Sequence, residues 1–319
     1  MNNIHTGASG VGARHKRPDA FAAYVTSLRE TPAKDKTEHT DRHAVKALLE
    51  QFSPPGVTVI HEPKRVQGKG APDFKLHING QIVGYVETKP LGTNLNEVLK
   101  SAQIARYLTL SKNILLTNYL EWVLVKDADA RIIMLLDKEQ AFASKFKLET
   151  SRTTELSSLL HRFASVAPQR ISTANELADA LATRSRLLRD FLGDELARQK
   201  KYGQGERLYG LYAAFKNQVS EAITVSEFAD AFAQTLAYGL FLSKLNANGT
   251  SLTLSTAKKY IPTSFKLIQE LVSFLDVLEI DFYKEVRWVV DEILSIINGL
   301  DVASVRENLS FKNRQRAYR

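Results

Sequence analysis

From Ser172 onward the apolar residues of this chain recur only at helical spacing. Leu177, Leu181, Leu188 and Leu192 form one stripe, and Phe228, Phe232, Leu236 and Leu240 form another. Steps of three and four residues keep side chains on one side of a helix, whereas a strand needs strict alternation, and no alternating segment follows residue 172. Breaks are expected near Gly203 and Gly205, between Asn246 and Thr250, and at Pro262. Residues 172–319 are therefore expected to form an all-helical domain, and the aromatic stripe Phe228, Phe232, Tyr238 and Phe241 to be packing core.

The preceding stretch, 18–166, reads as mixed α/β. A helix is expected from about Glu38 to Gln51, stopped by Pro54-Pro55-Gly56. A β-branched segment follows at Val57–His61. Pro72–Ile78 and Ile82–Lys89 then flank Asn79-Gly80, a strong short-range signal for a hairpin. Asn94, with Glu97 three residues on, resembles a reciprocal cap opening a helix to about Leu110. Asn113–Thr117, Glu121–Val125 and Arg131–Leu136 complete a mixed central sheet of five or six strands flanked by helices. Residues 1–17 are Gly/Asn/Ser-rich and end in a basic run, so they read as a flexible arm.

Composition narrows the function classes. The 319 residues contain no cysteine, which excludes disulfide frameworks, Cys-ligated zinc and thiol catalysis. His39 and His43 sit at helical spacing but lack the further ligands a zinc site needs. No apolar run approaches the ~20 residues of a membrane span, and no signal peptide follows the basic start. A soluble, cytoplasmic protein with no membrane partner is expected. With 43 Lys+Arg against 35 Asp+Glu, the formal charge of +8 favours a polyanionic partner.

The chemistry is concentrated in the hairpin. A strand bearing Asp73 is joined to one bearing Glu87 and Lys89, which share a face because side chains alternate, while Thr88 points the other way. Register decides whether the two carboxylates can cooperate. A plain two-residue loop at Asn79-Gly80 would set Asp73 opposite Val86 and put Asp73 and Glu87 on opposite faces. A site therefore requires a three-residue turn or an equivalent bulge. Two carboxylates with an ammonium suit a hard cation such as Mg²⁺, which takes one or two carboxylates plus water and phosphate oxygens.

Pro72-Asp73 followed by Glu87-Thr88-Lys89 resembles the PD-(D/E)xK metal-dependent nuclease motif. Gln103 and Tyr107 match the Q-x-x-x-Y element that some members carry on the next helix; packing beside Leu99 is their alternative role. The run from Gly84 through Gln103 to Thr117-Asn118-Tyr119-Leu120-Glu121-Trp122 is similar to the N-terminal nuclease of single-chain restriction-modification enzymes of the type ISP and type IIG kind. Glu227–Phe241 resembles the helical connector that leads there into an adenine methyltransferase. The Asn/Asp-Pro-Pro-Tyr/Phe tetrapeptide of such a methyltransferase does not occur, nor does a Gly-rich cofactor loop after a strand. The chain is expected to be either a fragment of a longer enzyme or a stand-alone nuclease plus connector.

The resemblance implies Mg²⁺-dependent endonucleolytic hydrolysis of double-stranded DNA in restriction or phage defence, with Mn²⁺ as the alternative metal. A methyltransferase or specificity module would be the partner in the same enzyme. Asp73, Glu87 and the carbonyl of Thr88 would bind the metal, and Lys89 would orient the attacking water. Glu38 is the candidate extra acidic ligand, with Glu50 its rival. Lys64, Arg65 and Lys69, in a glycine-containing loop, and Arg106 are candidate phosphate contacts, with a merely solvated basic loop as the alternative. A catalytically silent DNA-binding module and an RNA or structure-specific nuclease remain the competing readings.

Overall fold

The computed structural model describes residues 19–37, 39–61, 71–125, 130–202, 206–218, 220–247, 249–261 and 284–307. Glu38, Lys64, Arg65, Lys69 and the arm 1–17 lie outside the described residues.

Helix α1 (Ala20–Leu28) starts where the Asp19 side chain accepts the Phe21 amide at 3.0 Å, and α2 (Arg42–Phe52) follows. One six-stranded sheet is laid down in chain order: β1 (Thr58–His61), β2 (Phe74–Ile78), β3 (Gln81–Thr88), β4 (Ile114–Thr117), β5 (Glu121–Val125) and β6 (Ile133–Met134). Neighbours are antiparallel except β3 and β4, which are parallel with Glu87 opposite Leu116. A parallel pair needs a crossover, and α3 (Leu95–Leu99) with α4 (Ala102–Leu108) supplies it. That connection carries Gln103 and Tyr107 back over the strand bearing Glu87.

Each face of the sheet is buried. Phe74, Leu76, Val86, Leu115 and Trp122 pack with α1, α2 and α6 (Thr150–Ala164), which follows the short α5 (Lys138–Phe142). Tyr85, Ile114, Leu116, Val123 and Val125 join Ile104 and Tyr107 of α4. The same cluster runs on into α7 (Ala174–Tyr202), α8 (Glu206–Gln218), α9 (Val225–Asn246), α10 (Leu254–Ala257) and α11 (Lys284–Asn298). The expected helical stripes are core: Leu177, Leu181, Leu188, Leu192, Phe228, Phe232, Leu236 and Leu240 are all buried. Tyr238 departs from this, at 64% exposed. No helix among the described residues is long and apolar enough to cross a membrane.

Several elements differ from the sequence reading. Helices α1 and α6 had no assignment, and α2 begins at Arg42 rather than near residue 38. The single helix expected from Asn94 to Leu110 is two. Ser101 starts the second by accepting the Ile104 amide at 3.3 Å, because a short hydroxyl side chain competes well for the first free N–H groups of a helix. Asn94 caps the first by accepting from Asn96 rather than in a reciprocal pair, and Glu97 pairs with Lys100 at 3.7 Å instead.

Candidate functional site

The hairpin turn holds two residues. Asn79 and Gly80 both take positive φ, 50° and 81°, and Ile78 faces Gln81. Had the register continued, Asp73 would miss Glu87. It does not continue, because the pairing slips between His77↔Ile82 and Leu76↔Gly84, leaving Val83 as an extra residue on β3. Beyond this bulge Phe74 faces Val86, and continuing the ladder by one residue sets Asp73 opposite Glu87. Asn113 satisfies the bulge, its side-chain amide donating to the Val83 carbonyl at 2.7 Å and to the Phe163 carbonyl at 2.9 Å. Of the two routes that the sequence left open for bringing the carboxylates into register, the fold uses the bulge.

Both carboxylate residues are fully buried, at 0% exposed. Asp73 Oδ2 accepts the Thr88 amide at 2.8 Å and the Thr88 hydroxyl at 2.6 Å. Its Oδ1 lies 2.6 Å from Arg42 Nη2. Arg42 Nε in turn donates to Thr88 Oγ1 at 3.3 Å, closing a three-residue ring. Arg42 was missed by the sequence reading, which looked to Glu38 and Glu50 on this stretch for a charged contribution to the site. Its signal was weak: an arginine is seldom as buried as this one unless paired. Tyr119 stands beside the ring with φ of 76°, a strained conformation for a bulky residue. Its amide donates to Thr117 Oγ1 at 2.9 Å and its carbonyl accepts the Tyr24 hydroxyl at 2.8 Å, so both ends of the strained residue are tied. Burial raises its phenol pKa to about 12, against the opposing bond with Thr88 and charge of Arg42.

Glu87 has a different set of partners. Its Oε1 accepts from Lys89 Nζ at 2.8 Å and from Gln103 Nε2 at 2.9 Å. Lys89 also donates to Gln103 Oε1 at 2.9 Å, and Gln103 Nε2 donates to the Tyr107 hydroxyl at 3.0 Å. The β-α-β crossover thus brings Lys89, Glu87, Gln103 and Tyr107 into one bonded chain. The Tyr107 phenol is pushed far above its ordinary range by burial first and Glu87 second. Asp73 adds to the rise and Arg106 opposes it, so both carboxylates and Arg106 act on the same hydroxyl.

Glu50 is not with them; it is exposed and lies 3.7 Å from Lys46 on its own helix. His43 bonds Ser27 Oγ at 3.0 Å and faces the Thr40 carbonyl at 3.1 Å. Among the described residues no group of three or more His, Cys, Asp or Glu could hold a metal ion. A hard cation at this site would rest on Asp73 and Glu87, a carbonyl and water. Such a donor set fits Mg²⁺ in kind and number.

No family model matches the chain, and no curated protein matches it. Among solved structures it is similar to one described as the cryoEM structure of a DrdV–DNA complex. The identity is 17% and the TM-score 0.33, over 87% of this chain and 26% of that one. The chain thus spans far less than two thirds of that structure's length.

Proposed function

We propose that this chain is a Mg²⁺-dependent nuclease hydrolysing DNA phosphodiester bonds, the cleaving part of a restriction-modification or phage-defence enzyme whose methyltransferase lies outside the chain. One observation carries the reading: the Val83 bulge, which interrupts an otherwise regular hairpin and shifts its pairing to Phe74↔Val86, so that Asp73 and Glu87 are the next residues in line on the two sides. A bulge gives up ladder pairing, and bulges commonly re-aim side chains next to active sites.

Asp73, Glu87 and the Thr88 carbonyl would hold the cation, which supplies phosphate polarisation and a more acidic bound water. The chain's own contribution is positional. Lys89 is pinned between Glu87 and Gln103, and Gln103 is pinned by Tyr107, so the ammonium is preorganised to orient a water and offset charge developing on phosphate. Arg106 is the described candidate for a further phosphate contact.

The test is plasmid cleavage with Mg²⁺ against EDTA for wild type, Lys89→Ala and Asp73→Asn, the last keeping the shape beside Arg42. Each variant is expected to lose about 10² to 10³ in rate, the usual effect of removing one preorganised electrostatic contact. Undiminished cleavage by both overturns the assignment. Duplex DNA, branched DNA and RNA run in parallel separate the substrate classes.

A catalytically silent DNA-binding module is the second reading. It is favoured by the pairing of each carboxylate with a cation, Asp73 with Arg42 and Glu87 with Lys89. Wild-type chain that retards duplex DNA on a gel yet never cleaves it, with any divalent metal, selects this reading.

A further inference from the structure

We propose that the joint between the sheet and α11 is a binding site for one buried water, bonded by the Tyr85 hydroxyl, the Trp288 indole N–H and the Glu292 carboxylate. A small cavity lies at this joint, walled on the sheet side by Pro72, Lys75 and Tyr85 and on the helix side by Trp288 and Glu292. Lys75 and Tyr85 face each other across β2 and β3. Trp288 and Glu292, four residues apart, share one side of α11. Tyr85 is 2% exposed and Trp288 3%. Among the described residues neither the Tyr85 hydroxyl nor the Trp288 Nε1 has a hydrogen-bond partner. Buried polar groups are costly to leave in that state, and nearly all of them bond either protein or an ordered water.

Size and charge select the occupant. The cavity leaves about 10 Å³ for the centre of a water molecule, close to the room that one molecule requires. An indole N–H only donates, so the occupant must accept; a carboxylate only accepts, so the occupant must also donate. The Tyr85 hydroxyl serves in either role. An anion would meet the Glu292 carboxylate. A cation would meet Lys75 in the wall and Arg184, whose Nη2 lies 3.5 Å from Glu292. Neutral water, which donates and accepts at once, satisfies all three groups.

Such a water also completes the seating of the helix. The direct bonds from α11 to the main chain of the hairpin reach its turn end, at Gly80 and Ile82. A water held by Tyr85 carries the connection further along β3, beside Pro72 and hence next to Asp73 in sequence. The site is independent of whether the hairpin cleaves DNA.

The test uses the full ¹⁵N-labelled chain, whose two tryptophans give two indole N–H signals. Trp288→Phe assigns its own signal by removing it; if that variant does not fold, Tyr85→Phe assigns it by shifting the nearer indole. Trp122 is the internal control, because its Nε1 is likewise buried without a partner among the described residues but Trp122 does not line this cavity. The Trp288 indole is expected to show a cross-peak to long-lived water that the Trp122 indole lacks. Tyr85→Phe supplies a second readout, of opposite sign for the two cases. Removing a hydroxyl that bonds water should raise the unfolding equilibrium constant about three- to tenfold, whereas removing one that bonds nothing leaves it unchanged or lowers it. A Trp288 indole with no water cross-peak beyond that of Trp122 overturns the proposal, as does Tyr85→Phe at wild-type or higher stability.

Discussion

The Tyr107 hydroxyl shows what burial does to a side chain at this site. Its pKa is raised far beyond the ordinary phenol range, so the group stays protonated at any working pH and serves as an anchor for Gln103, not as a base. Tyr107→Phe is expected to cut cleavage about tenfold, the equivalent of one lost hydrogen bond, while leaving the shape of the pH–rate profile unchanged. A limb of the profile that vanishes in the variant would show that Tyr107 titrates. Tyr119 makes a prediction about stability instead. With its pKa raised to about 12 in the folded chain, the unfolded chain loses this proton first as pH rises past about 10. Proton binding by the folded state then exceeds that by the unfolded one, so stability falls from about pH 10 to pH 12. Tyr119→Phe should flatten that fall in chemical denaturation series. An unchanged slope would refute the assignment.

At the scale of elements the bulge is the feature to test, because one residue of register decides which carboxylates meet. Gly84 ends the bulge where a Cβ would lie 2.7 Å from Asn113 Nδ2 and 2.9 Å from Phe163 Cε2. Gly84→Ala should cost about 1–3 kcal/mol through overpacking, read as a lowered denaturation midpoint. Asn113→Ala strips the partner from the Val83 carbonyl and should cost a similar ~1–3 kcal/mol. Wild-type stability in both variants would mean that the bulge is not held as described. Much of the local pattern was legible. Asn79-Gly80 marked the turn, parity arithmetic demanded a bulge or a longer loop, and the leucine stripes marked α7 and α9. Helices α1 and α6 were not, because Ala20–Leu28 carries too little polar contrast to show a face and Thr150–Ala164 is too polar to stand out before its packing is known. The split between α3 and α4 hangs on a single Ser101 cap, which spacing does not reveal.

At the scale of the molecule, the helices are joined to the sheet through buried charge. Arg184 of α7 donates to the Leu110 carbonyl beyond α4 at 2.9 Å and lies 3.5 Å from Glu292 of α11. Burial depresses the Arg184 pKa to about 10. Arg184→Met leaves a buried carboxylate without this cation and should destabilise the chain by about 3–5 kcal/mol, with Glu292→Leu in the double variant restoring part of it. Loss confined to less than about 1 kcal/mol in urea denaturation would exclude this role. Helix α11 reaches the hairpin as well: Asn298 donates to the Gly80 carbonyl at 3.2 Å, Ser295 accepts the Ile82 amide at 2.7 Å, and Lys75 meets Asp291 at 3.1 Å. The strand that carries Glu87 and the one that begins just after Asp73 are therefore braced by a helix some two hundred residues away in sequence.

The sequence by itself determined the strands of the hairpin, the helical character of the second half and which residue types occupy the hairpin, because periodicity, turn chemistry and side-chain alternation act over a few residues at a time. It also singled out Asp73, Glu87, Lys89, Gln103 and Tyr107. Only the tertiary structure decided the placement of the bulge, the joining of Gln103 to Lys89 and Glu87, and the pairing of Arg42 with Asp73. Those depend on contacts between residues far apart in the chain, where burial makes each charge seek a partner that no local pattern names.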